Sequence, residues 1–314
     1  MVGRHVTAQW AWVSKEPGAR GGGYQILATS GRDINFSQYV ATYITGSPDS
    51  GVSPDSPQAP PWVTIGSFLA NGMVLVSVAV LDPWRDRDYA GRAIWPQRFF
   101  LFRFDELAAA GVSYRTLWEA IRDINIPAAD SAPLTLQVQS ADVGDLVSAI
   151  ELYGFERMAG IAAAQLEARI AVDDAELLQR LDRLALLDAA TALLPYGFRA
   201  NLSLSSSVDN TVAHPIRLVF AHFANRQTLI SLRDPAVVPL TQFGRDYLNA
   251  LRRKQRTSGT AAVVEHLWAA RQPRSLERPE EAPAVLGELD FYRDYQRLLR
   301  ERTAKRTEAL EFFR

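Results

Sequence analysis

The densest group of side chains capable of chemistry lies in the segment DPWRDRDYAGRAIWPQRFFLFRF, residues 82–104. Three carboxylates in it, Asp82, Asp86 and Asp88, alternate with arginines. Paired carboxylates carry out acid–base catalysis in hydrolases. Each of these carboxylates, however, has an arginine neighbour, whose charge keeps an acid ionised. The pattern therefore also fits a charged loop that leads into a buried strand.

A third interpretation of the same segment is a recognition surface. Tryptophan and arginine dominate the binding energy of protein interfaces. The segment supplies five such residues as candidate partner-binding positions: Trp84, Arg85, Arg87, Arg92 and Trp95.

A second candidate centre is the run SLSSSVDN, which places Ser203, Ser205, Ser206, Ser207 and Asp209 near His214. These are the residue types of a serine hydrolase. The run lacks the G-x-S-x-G turn of one large hydrolase class, and serine alternating with leucine is also typical of the polar face of a sheet. A hydrolase that uses carboxylates or Ser/His chemistry is thus an alternative hypothesis, and we assign no catalytic residue.

The glycine run at residues 21–23 lacks the sequence pattern of a phosphate-binding loop. Gly18 and Gly23 have the spacing of the P-loop motif, but Tyr24 and Gln25 stand where it requires lysine and a hydroxyl side chain. A β-prone run follows, where the motif requires a helix. The pattern favours a connection between two strands, and Gly22→Val is expected to destabilise it.

The sequence predicts neither a metal site nor a cofactor. There is no cysteine, and no two of the four histidines are spaced as ligands on one helix face. His214 and His222 fall at opposite ends of one predicted strand, about 26 Å apart at strand rise.

The elements that must position these residues fall into three predicted regions. Residues 1–126 are expected to form a mainly antiparallel β domain, with a hairpin turn at Asn71-Gly72 and a helix that begins at Ser113. The Pro/Ala/Asp/Ser stretch NIPAADSAP then marks a boundary.

Residues 133–238 are expected to mix strands and helices. The runs FRANLSLSSS, HPIRLVFAHF and QTLISL are predicted strands, and a helical run is predicted to break near Gly154. Residues 239–314 are expected to form long helices, the last over residues 282–314. The predicted fold class is α+β.

Composition excludes several classes of protein. The chain has 314 residues, 47% of them hydrophobic, and a formal net charge of −1. A nucleic-acid binder usually shows a basic excess, and the apolar runs are shorter than the roughly 20 residues of a membrane span. We therefore expect a cytoplasmic protein that binds neither nucleic acid nor membrane.

Three stretches together resemble a known family. QWAWVSKEPGARGGGYQILATS, DYAGRAIWPQRFFLF and LDRLALLDAATALLPYGFRANLSLSSSVDN are similar to segments of the bacterial GTPase-associated protein family. The resemblance covers roughly residues 7–232. It implies an N-terminal GTPase-associated module, a middle module, and a role beside small GTPases in bacterial conflict, or anti-phage, systems. WPQRF lacks the histidine expected there, and the family supplies no catalytic residue to transfer.

The sequence thus favours a non-enzymatic adaptor or regulator that binds a protein, a small GTPase being one candidate. The alternatives are the hydrolase and a structural subunit that oligomerises through its last helix; oligomeric state is left open.

Overall fold

The computed structural model describes residues 3–15, 23–31, 34–43, 62–82, 87–91, 94–173, 182–208, 210, 213–221, 223–232 and 239–289. Its centre is one ten-stranded mixed sheet in the order β10-β7-β9-β8-β3-β4-β5-β1-β2, with β6 also paired to β1. The chain is an α+β protein, as the sequence predicts.

The first five strands form the antiparallel half of this sheet. They are β1 (Arg4–Ser14), β2 (Gln25–Thr29), β3 (Trp62–Ala70), β4 (Met73–Leu81) and β5 (Gln97–Arg103). The turn between β3 and β4 uses positive φ angles at Asn71 (50°) and Gly72 (74°), which confirms the predicted hairpin.

Strand β1 is the longest of the sheet and pairs with three other strands. It pairs with β5 on one side; on the other side it pairs with β6 (Leu134–Val138) along its first half and with β2 along its second. Trp10, at its middle, is fully buried and donates from Nε1 to the carbonyl of Ala132 (3.2 Å).

The remaining strands form a short parallel half. They are β7 (Ile170–Asp173), β8 (Leu204–Ser205), β9 (Leu218–Phe220) and β10 (Thr228–Ser231), and β8 joins them to β3 in antiparallel pairing. One sheet thus crosses both regions that the sequence divides at residues 126 and 133, and that division stays a prediction.

The helices cover the sheet on both faces. They are α1 (Phe36–Tyr43), α2 (Phe104–Ala110), α3 (Tyr114–Ile121), α4 (Val143–Tyr153), α5 (Phe155–Glu167), α6 (Arg183–Thr191) and α7 (Gln242–Ala269); residues 281–289 are also helical. The main core lies between one face and α2–α7, whereas α1 covers a smaller core on the other face.

Two helix boundaries confirm the sequence patterns. Ser113 Oγ accepts from the backbone nitrogen of Thr116 (3.1 Å), and Thr116 Oγ1 accepts from that of Ser113 (2.9 Å), a reciprocal cap. Gly154, at a φ of 88°, separates α4 from α5 at the predicted break. Gly259, also at positive φ, kinks α7.

Several sequence expectations need correction. FRANLSLSSS contributes a 3₁₀ turn at Tyr196–Ala200 and only two strand residues, and His214 precedes β9 instead of lying on it. The Gly22 turn and His222 lie outside the described residues, as does the last predicted helix beyond residue 289.

Candidate functional site

The charged segment of residues 82–104 reaches one end of the antiparallel half of the sheet. At this end, β1 and β4 finish where β3 and β5 start. The paired residues that mark it, one on each strand, are Trp62, Leu81, Gln97 and Val13. We call the aromatic end the group formed there by Lys15, Tyr24, Trp62, the 87–91 turn and Trp95.

Trp95 is anchored at this end by two contacts. Its ring lies edge-on to that of Trp62, with centroids 5.0 Å apart, and its backbone nitrogen donates to the hydroxyl of Tyr24 (2.8 Å). Trp62 is buried and Trp95 is half-buried. The Trp62 and Trp95 rings are thus in contact, and Tyr24 is bonded to the backbone of Trp95, at one end of the sheet.

Within the aromatic end, Lys15 links Tyr24 to the 87–91 turn. Lys15 Nζ lies 5.0 Å from the centroid of the Tyr24 ring and 3.7 Å from the carboxylate of Asp88. Asp88 also accepts through Oδ1 from the backbone nitrogen of Ala90 (3.0 Å). Lys15, which directly follows β1, is thus one ionic partner of Asp88.

The turn presents two large side chains to solvent. Arg87 is exposed and donates from Nη1 to the carbonyl of Gly91 (2.7 Å), while Tyr89 is 62% exposed. Of the five predicted partner-binding residues, Arg87 and Trp95 are thus both at the aromatic end. Trp84, Arg85 and Arg92 lie outside the described residues.

Asp82, at the same end of the sheet, is committed to an ion pair. Arg98 donates to both of its oxygens (Nε to Oδ2 2.6 Å, Nη2 to Oδ1 2.8 Å) and from Nη1 to the carbonyls of Ile121 and Ile124. This pair and Trp12 line a cavity of about 630 Å³. Because both oxygens of Asp82 accept hydrogen bonds from one buried arginine, this carboxylate stabilises the contact between the end of β4 and β5.

Two of the serine candidates make side-chain contacts with strand β3. Ser205 Oγ lies 2.8 Å from Thr64 Oγ1, and Ser206 Oγ accepts from the backbone nitrogen of Val63 (2.9 Å). His214 Nε2 lies 2.8 Å from Asn210 Oδ1 and 3.4 Å from Gln227 Nε2. These contacts join strands and loops, and none of them pairs a serine nucleophile with an imidazole base.

No group of three or more His, Asp or Glu side chains with metal-binding geometry occurs among the described residues. In the same part of the chain, no helix is long and apolar enough to cross a bilayer.

Comparison of the chain with known protein families, with curated protein sequences and with solved structures finds no significant match. The family resemblance therefore remains a hypothesis.

A buried polar cluster was not anticipated from the sequence. Asp188 accepts from the backbone nitrogens of Tyr114 (2.8 Å) and Arg115 (2.9 Å) at the start of α3, and from both terminal nitrogens of Arg199 (3.2 Å each). Asp188 and Arg199 are 2% and 5% exposed. A buried charge of this kind is retained only when it is paired and hydrogen-bonded.

Three aromatic rings enclose the guanidinium of Arg199. Its central carbon lies 4.0 Å from the ring centroid of Tyr114, 4.8 Å from that of Trp268 and 5.3 Å from that of Tyr196. Burial raises the pKa of the Tyr196 hydroxyl to about 12. We call these residues with Asp188 the Arg199 cluster; it joins α3, α6 and α7.

Proposed function

We propose that this protein is a cytoplasmic, non-enzymatic adaptor that binds a protein partner through the aromatic end. The partner class that we favour is a small GTPase of a bacterial conflict system, the setting that the family resemblance implies. The observation that carries the proposal is the exposure of Arg87 and Tyr89 at the end of the sheet where the Trp62 and Trp95 rings are in contact.

The composition of the aromatic end suits a binding surface. Tyrosine, tryptophan and arginine are the residues most enriched among those that dominate interface energy. Tyr24 and Tyr89 are 37% and 62% exposed, so each has solvent-accessible surface that a bound partner would bury. Because Asp88 already lies beside Lys15, the cation most open to a partner's acidic side chain is Arg87.

The anchoring of the rings also favours binding. Side chains that are ordered before association lose less conformational entropy when the complex forms. The Trp62–Trp95 contact and the bond from Trp95 to Tyr24 supply this order.

The test is capture of the products of neighbouring genes, small GTPases included, with the purified chain as bait. The double variant Arg87→Ala/Tyr89→Ser should lose capture. The matched control is Arg253→Ala/Leu69→Ser, which removes an exposed arginine on α7 and an exposed leucine at the opposite end of β3.

Equal capture by both double variants would contradict the proposed surface. Failure of the wild-type chain to capture any of these products would contradict the adaptor function itself. Circular dichroism on each variant confirms that the chain is folded.

A further inference from the structure

Two arginines lie side by side at the start of the parallel strands. Arg169 immediately precedes β7 and Arg217 immediately precedes β9, and these strands pair with Ile170 opposite Leu218. The backbone nitrogen of Ile170 donates to the carbonyl of Arg217 (2.7 Å). The two arginines therefore occupy adjacent backbone positions where the paired strands β7 and β9 begin.

The bonds that these arginines make with other described residues use one side-chain N–H donor of each. Arg217 donates from Nε to the carbonyl of Gln165 (2.7 Å), and Arg169 donates from Nη1 to the carbonyl of His214 (2.9 Å). Both acceptors are neutral. Within the described residues, the two terminal nitrogens of Arg217, and Nε and Nη2 of Arg169, have no hydrogen-bond acceptor.

No acid among the described residues forms an ion pair with either arginine. Among the ion pairs between described residues, none includes Arg169 or Arg217. Both side chains are half-buried, and the pKa of Arg217 is lowered by burial and then by the charge of Arg169. Two cations in this position repel each other and lose hydration.

The acid nearest in sequence is engaged elsewhere. Glu167 accepts from the backbone nitrogens of Thr241 (3.0 Å) and Gly244 (2.5 Å) and from the hydroxyl of Thr241, and so caps the start of α7. A carboxylate in that position satisfies free N–H groups and the positive end of the helix dipole. It is therefore not the partner of Arg169.

The two arginines that are fully buried among the described residues have carboxylate partners. Arg98 is paired with Asp82, and Arg199 with Asp188. Arg169 and Arg217 differ from them in keeping free planar donors where two paired strands begin. Two adjacent guanidinium forks match the geometry and charge of a phosphate group, which accepts several charge-assisted bonds and carries about −1.5 to −2 when esterified.

We propose that Arg169 and Arg217 form a binding site for the phosphate group of a small phosphorylated ligand. The terminal nitrogens of both side chains donate to the phosphate oxygens, and the dianion removes the repulsion between the two cations. This site is on the parallel half of the sheet and does not depend on the proposed adaptor surface.

The experiment is titration calorimetry of the full chain with sodium pyrophosphate, at ionic strength held constant with sodium chloride. Wild type should bind, and Arg217→Gln and Arg169→Gln should each weaken binding at least about tenfold, the loss expected from removing a charge-assisted bond. Arg122→Gln, which removes an exposed arginine paired with Asp123, should bind as wild type.

Two variants are needed because Arg217 also bonds to α5 and its loss could unfold the chain, whereas Arg169 bonds only to a loop carbonyl. Thermal unfolding in the same buffers gives a second readout. Pyrophosphate should raise the Tm of wild type and Arg122→Gln but not that of the two site variants.

Three results would overturn the proposal. They are no binding by wild type, equal binding by Arg169→Gln, or an equal rise in Tm in all variants, since phosphate also stabilises proteins by exclusion from their surface. Parallel titrations with GDP and inorganic phosphate distinguish a nucleotide from the free anion as the source of the phosphate. Titration with citrate must give weaker binding than pyrophosphate; tighter citrate binding would assign the site to carboxylates.

Discussion

The aromatic end and the Arg199 cluster are built from the same residue types and differ in what surrounds them. Each combines tryptophan, tyrosine, a cation and an aspartate. In the Arg199 cluster the charges are almost fully buried and paired. At the aromatic end Lys15 and Asp88 are paired, while Arg87 and Tyr89 face solvent.

This difference separates structural from recognition roles. Cation–aromatic contacts occur in both regions, so they do not by themselves indicate a binding surface. What distinguishes the aromatic end is exposed area next to anchored rings. The comparison predicts that changes in the Arg199 cluster alter stability, whereas changes at Arg87 and Tyr89 alter binding.

The largest expected effect is that of Asp188→Ala. The variant leaves the guanidinium of Arg199 buried without its counter-ion, which typically costs about 3–5 kcal/mol of unfolding free energy. Urea denaturation measures the loss. The matched control, Asp105→Ala, breaks an exposed pair with Arg103 and should cost less than about 1 kcal/mol. Similar losses in both variants would contradict the structural role of the cluster.

Gly197→Ala should be the next most disruptive change. Gly197 donates to the carbonyl of Ala270 (2.9 Å) and accepts from the nitrogen of Arg274 (3.0 Å), and an added Cβ would overlap the carbonyl oxygen of Gln272. We expect a loss of about 3 kcal/mol because two backbones must separate.

At the aromatic end, Gly91 has a φ of 76° and open space around it. Gly91→Ala should therefore cost only the left-handed backbone strain of about 1 kcal/mol. Thermal unfolding of the two alanine variants compares these costs, and the reverse order would refute the close backbone approach at Gly197.

Tyr196→Phe removes the two hydrogen bonds of one hydroxyl group in the Arg199 cluster. The hydroxyl reaches the carbonyls of Leu107 (3.2 Å) and Val112 (2.9 Å), so its removal should cost about 1 kcal/mol at neutral pH. The pKa of about 12 in the folded chain lies above the ordinary tyrosine value of about 10. The stabilisation from the protonated hydroxyl is therefore complete below pH 10 and is lost as pH rises through 12.

Unfolding free energies at pH 8 and pH 11 check this prediction. The phenylalanine variant should lose less stability than wild type between the two values. An equal loss would show that ionisation of Tyr196 is not linked to unfolding.

The sequence predicted what depends on local chemistry. The Asn71-Gly72 turn, the Ser113 cap and the Gly154 break are each specified by a few adjacent residues, and all three are confirmed. The α+β class follows from the change between two-residue and helical periodicity along the chain.

What the sequence did not predict depends on contacts distant in the chain. Asp188 and Arg199 lie on different elements, and the backbone nitrogens that Asp188 caps are more than 70 residues away. Asp82, at the end of β4, pairs with Arg98 on the neighbouring strand β5, although arginines closer in sequence were the expected partners. The separate helix α2 was missed because the apolar run of β5 continues into it.

The most direct test of whether a partner binds at the aromatic end is hydroxyl-radical footprinting of the complex with a captured partner. Tyr24, Tyr89 and Trp95 should be oxidised more slowly in the complex than in the free chain. Met73, 43% exposed at the opposite end of the sheet, should be oxidised at the same rate in both. Protection of Met73 with unchanged oxidation of Tyr89 would show that the partner binds elsewhere and would contradict the account.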